Sequence, residues 1–147
     1  MFDERNGREY GLALSATLSG TTKAEGAWID MQGFNSLTFT VATATVTDAG
    51  AAAGFSFTVE ESDTTADADA TAVADADLIG LESALTVTSD DDDNKFIGTI
   101  GYRGEKRYVR MTALGTSGTN AVVMSHAIKG HGAIQGAASI DAGTAAT

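Results

Sequence analysis

LTFTVATATV (residues 37–46) and FSFTVEE (residues 55–61) decide how this chain is read. Leu37, Phe39 and Val41 alternate with Thr38 and Thr40; Phe55, Phe57 and Val59 alternate with Ser56, Thr58 and Glu60. A period of two describes strands with one face in a core and one in water. Proximity in sequence predicts that the two pair with each other, antiparallel, across the small-residue loop 47–54. Outward from them the pattern repeats in shorter pieces. Leu12, Leu14 and Leu18 suggest a first strand or an extended segment, and Ala27–Met31 a further strand. Leu78–Leu85 reads as a buried corner or a short helical turn, and Leu85–Thr88 as a short strand. In Arg107–Leu114, Val109, Met111 and Ala113 alternate with Tyr108, Arg110 and Thr112. In Ala121–Ile128, Val122, Met124, His126 and Ile128 share one face, which is expected to be the inner one, with His126 partly buried. Seven or eight short strands at regular spacing, with no helical stripe, predict an all-β antiparallel sandwich.

The 147 residues suit one domain with an ordinary core. The expected organisation is an N-terminal arm and first strand (1–25), a sandwich (26–130) and a Gly/Ala/Ser/Thr tail (131–147). Cysteine is absent, which excludes disulfide scaffolds and thiolate metal sites. The N-terminal MFDERNGREYG lacks the apolar run of a signal peptide, and no stretch approaches a membrane span, so the expectation is a soluble protein made in a cytoplasm. A net charge of −11 opposes binding to nucleic acid, whose phosphates need Lys and Arg. The charge is uneven. Residues 60–93 hold 12 of the 20 acidic side chains and no basic one; residues 95–110 hold 5 of the 9 basic ones. Both runs are read first as solvated loops and strand faces.

Candidate chemistry is thin. The runs Asp67–Asp77 and Ser89–Asn94 offer oxygen ligands for Ca²⁺, but the glycine and the closing glutamate of an EF-hand are missing. Ser125 and His126 are neighbours on a strand and point to opposite faces, so they cannot act as nucleophile and base. His126 and His131 lack a third zinc ligand. Gly98, Gly101 and Gly104 precede a strand rather than a helix, so they read as hairpin and turn residues, not a phosphate loop. No catalytic residue, cofactor site or metal site is assigned.

Four phrases carry a resemblance: IDMQGFNSLTFTVATATVTDAG (29–50), FSFTVEESD (55–63), TAVADADLIG (71–80) and GYRGEKRYVRMTAL (101–114). With them the chain resembles small β-sandwich virion proteins of tailed bacteriophages, of the head decoration (cement) type. The similarity spans Trp28–Leu114, and Thr64–Thr71 makes the loop after VEESD longer and more acidic than usual there. The resemblance implies a jelly-roll-like sandwich, with an immunoglobulin-like one as runner-up. It implies no catalysis and no cofactor. It also implies a homotrimer on the outer surface of the phage head that clamps adjacent copies of the major capsid protein, without nucleic acid or membrane. The capsid-contact residues expected on that basis are Phe2 and Tyr10 from the arm, and Arg103, Lys106 and Arg107 from the basic segment, facing an acidic head. The alternatives are a head–tail connector or tail protein, a carbohydrate-binding module, for which 10 aromatic residues are a thin supply, and, last, an enzyme.

Overall fold

The structure, a computed structural model, describes residues 8–47, 54–115 and 120–130. Phe2, His131 and the tail lie outside them, as do residues 1–7 of the arm. Among the described residues ten strands run in the order β1 (Arg8–Ser19), β2 (Ala24–Glu25), β3 (Ile29–Asp30), β4 (Ser36–Val46), β5 (Phe55–Ser62), β6 (Thr71–Ala72), β7 (Leu78–Ile79), β8 (Phe96–Tyr102), β9 (Tyr108–Gly115) and β10 (Asn120–Gly130). Four single 3-10 turns punctuate the acidic stretch from Asp67 to Asp92. The strands form two sheets, β1-β10-β4-β8-β7 and β2-β9-β5-β6, with β3 also on β9. Every pairing is antiparallel.

This order is an all-β sandwich of jelly-roll type. The pairs β1·β10, β2/β3·β9, β4·β8 and β5·β6 nest inside one another, as in a long hairpin rolled up so that successive pairs alternate between sheets. The same winding corrects one expectation. β4 and β5 do not pair: β4 lies between β10 and β8, and β5 between β9 and β6 in the opposite sheet. Each brings one apolar row to the interior, and two such rows bury more when they face each other than when they lie side by side. Phe39, Val41, Phe57 and Val59 are all at or below 1% exposure in one core cluster. Phe55 and Phe57 meet edge to face, 5.8 Å between ring centroids.

Three details refine the alternation. A bulge between Leu12 and Leu14 shifts the register of β1 on β10. It turns Ala13 and Leu14 both inward and leaves Leu12 exposed, so the three leucines do not share a face. β1 is thereby a sandwich strand paired with its own chain's β10. In β10 the inner row is Ala121, Val123, Ser125 and Ala127; Val122, Met124 and Ile128 are half-buried on the outer face, and His126 is exposed there. Period two groups residues by face without saying which face is inner. Here the opposing sheet's bulky Phe57, Met111 and Val59 leave room for the smaller row. Finally, Gly98 and Gly101 sit within β8 rather than in turns. A Cβ at either would come within 3.0 Å of Leu85 Cδ2 or Ile79 Cβ, so the missing side chains are the seats of these two residues. Gly104 alone belongs to the β8–β9 connection.

Candidate interaction surface

The β8–β9 connection carries the predicted basic contact residues, and its conformation is set by Tyr102. The Tyr102 ring is buried. Its hydroxyl donates to Glu61 Oε2 at 2.7 Å and accepts from the Lys106 backbone N–H at 3.0 Å. Burial, then the adjacent Glu61 carboxylate, pushes the phenol far above its usual pKa, so it remains a donor. Gly104 passes over the ring so closely that a Cβ there would overlap it.

The structure brings Lys106 and Arg107 together but not as free cations. Lys106 pairs with Asp63, and Arg107 grips Asp30 with two bonds, Nε to Oδ1 at 3.1 Å and Nη2 to Oδ2 at 2.9 Å. Those bonds, helped by the Gln32 N–H, hold the Asp30 carboxyl down at about 2. Arg103 points elsewhere, its Nε on the Ala76 carbonyl oxygen and its backbone N–H on that of Asp77. A shallow groove of about 400 Å³ runs beside this connection, lined by Met31, Phe34, Tyr102, Lys106 and Arg107 among others. Tyr10 does not line it: it stands 55% exposed on the outer face of the first sheet, opposite Ile128.

Two features were invisible in the sequence. The first is a charge cluster on the outer face of the second sheet. Arg110 is only 3% exposed and reaches three carboxylates: Glu60 at 2.9 Å, Asp67 at 2.7 Å and Glu25 at 3.0 Å. Its guanidinium carbon lies 4.4 Å from the centre of the Trp28 ring, which covers it. Lys23 closes the cluster by pairing with Glu60 and Glu25. Burial pushes Glu60 up, but hydrogen bonds from Lys23 and Arg110 outweigh it and leave its pKa below the usual range. On the strand, Arg110 reads as an ordinary solvent-facing polar residue. The second feature is the uncharged outer face of the first sheet, on which Tyr10 lies.

The acidic runs prove to be structural in part. Thr43 Oγ1 bonds the carbonyl oxygen of Asp92 and accepts from the Lys95 N–H at 3.1 Å; the Asp93 carboxylate accepts from the Val46 N–H at 3.0 Å. The 89–94 loop thus straps the end of β4. Asp67 serves Arg110. Among the described residues no group of three or more His, Cys, Asp or Glu is placed to hold a metal ion, and no helix is long and apolar enough to cross a membrane.

No family model matches the chain, and no curated protein sequence matches it. Among solved structures it is similar in shape to the PBSX exported protein XepA (16% identity, TM-score 0.49), covering 84% of this chain and 37% of that one. The SPBc2 prophage-derived protein YomS follows (10% identity, TM-score 0.43, 83% and 91% covered). A Bacillus endospore appendage protein is similar at 13% identity and TM-score 0.41, with 84% and 86% covered. The chain spans little more than a third of XepA. Likenesses at these scores assign neither a fold relationship nor a function.

Proposed function

We propose that this chain is a structural protein of a tailed-phage virion, a decoration protein that binds the outside of the head and ties adjacent capsomers. The observation that carries this reading is where the four resembling phrases fall. They supply β3, β5, β6 and nearly all of β9, which is most of the second sheet, and β4, β7 and the end of β8 in the first. The resemblance therefore concerns the scaffold and not one loop. The tertiary arrangement is consistent with it: large side chains fill the interior, and polar side chains are used in bonds that lock strands and loops. In this reading each copy buries modest area across a capsomer joint, and many copies together resist opening.

The contact segment proposed is the β8–β9 connection. Lys106 and Arg107 form its rim, with Arg103 of the same connection and Phe2 of the arm as further contacts, while Tyr10 stands apart on the outer face of the first sheet. Because Asp63 and Asp30 already engage two of the cations, docking on an acidic surface would exchange partners and not simply add charge. The test is co-sedimentation of the purified chain with heads stripped of decoration. Binding to saturation at hundreds of copies per particle is expected. Reversing Arg103, Lys106 and Arg107 to Glu is expected to leave the circular-dichroism spectrum intact and to weaken binding. Absence of binding, or six to twelve copies at one vertex, refutes the decoration role.

A further inference from the structure

We propose that the outer face of the β1-β10-β4-β8-β7 sheet is the docking surface for a second copy of this chain. The cross-strand register defines the face row by row. Tyr10, Ile128, Thr38 and Gly101 form one row, with Ile79 over Gly101 at its end. Leu12, His126, Thr40 and Thr99 form the next, and Ser15, Met124, Ala42 and Phe96 the third. Four large apolar side chains stand out from these rows: Tyr10 at 55%, Leu12 at 56%, Ile79 at 58% and Phe96 at 65% exposure. Half-buried Met124 and Ile128 fill the middle.

Charge distribution identifies the occupant. The chain carries −11, yet no described Asp, Glu or Lys belongs to these rows; Arg8, opposite Gly130, is the charge at their corner. The other sheet's outer face is the reverse, occupied by the Arg110 cluster with Glu25, Glu60 and Lys23. A copy as acidic as this one is repelled wherever its carboxylates approach another's. Contact through the uncharged face keeps those carboxylates out of the interface. Four strands of 12, 11, 11 and 7 residues make a face about 20 Å wide and, on average, about 35 Å long. That is about 700 Å², close to the ~800 Å² each partner contributes to a stable interface. The proposal concerns contact between copies and stands whether or not the chain binds a phage head.

The test is sedimentation equilibrium of the full chain alone at tens of micromolar, with no heads present. Masses above the 15.0 kDa of one chain, rising with concentration, are expected. Leu12→Lys and Phe96→Lys, both at exposed positions, should weaken association at least ~10-fold. Each adds a positive charge to an acidic chain, so relief of net repulsion works against the expected loss. Leu114→Lys is the matched control: it is 46% exposed on the outer face of the second sheet and should leave association unchanged. Raising salt from about 0.1 M to about 1 M should hold or tighten association, because screening relieves repulsion between acidic copies. A monomer at every concentration overturns the proposal, whether the capsid protein or the chain's own residues 131–147 take the face instead. Association that survives both lysine variants, or weakens with salt, overturns it too.

Discussion

Replacing Arg110 with methionine removes the guanidinium while keeping most of its volume, and so isolates what the charge contributes. In the folded chain Arg110 is 3% exposed and Glu60, its nearest largely buried partner, is 12% exposed. Asp67, at 68%, is solvated and its loss as a partner costs little. Removing one member of a buried pair costs about 3–5 kcal/mol, because the survivor keeps its desolvation penalty. Lys23 still neutralises Glu60, which puts the expected loss at the low end. The forfeited stacking on Trp28 adds ~1 kcal/mol. That makes about 4 kcal/mol in all, which for a domain of this size lowers Tm by about 12 °C. Thermal unfolding followed by circular dichroism measures it, with urea titration as a second probe. The double variant Arg110→Met with Glu60→Met should recover most of the loss, since an apolar replacement of a buried pair is often neutral. A single variant melting within about 2 °C of the parent refutes the reasoning. So does a double variant no better than the single one.

Gly26→Ala should be more damaging than its size suggests. Its N–H donates to Met111 O at 2.9 Å, and a Cβ there would enter the carbonyl oxygens of Ala13 and Met111, so a loss of about 3 kcal/mol is expected in urea titration. Ser125→Ala should instead raise Tm by a few degrees, because the hydroxyl of Ser125, 0% exposed, has no hydrogen-bond partner among the described residues. Acid should destabilise the fold. Arg107 holds Asp30 at about 2, and Glu60 is also lowered. Both therefore support folding fully above the unfolded carboxylate pKa of about 4; the contribution of Asp30 drains as pH falls towards about 2, and that of Glu60 as pH falls through its own lowered pKa. Asp30→Asn should flatten that acid limb in Tm measured against pH. Glu82 works in the opposite sense: burial raises its carboxyl, so it favours the fold below the unfolded pKa and opposes it as pH rises through the folded value. Glu82→Gln should accordingly hold or raise Tm at neutral pH.

What was legible in the residues was periodicity, and what was not legible was pairing. The alternation in 37–46, 55–61 and 107–114 marks β4, β5 and β9 with their correct apolar rows, because side-chain direction along a strand is a local property. The sandwich class followed from the number and spacing of such runs. Which strands pair was not local. β4 and β5 look like a hairpin in the sequence, and only the rolled order of the whole chain sends them to opposite sheets. The inner face of β10 was likewise decided by the opposing sheet, whose bulk admitted Ala121, Val123, Ser125 and Ala127 and turned His126 out. The basic segment was visible as charge, but not its engagement by Asp63 and Asp30, from positions 43 and 77 residues away. Arg110 was one more polar letter until Trp28 and three carboxylates from elsewhere in the chain closed over it. Backbone direction and the covalent order of side chains are fixed by neighbours in sequence; burial and ion pairing depend on what distant segments bring near, and only the folded chain sets those distances.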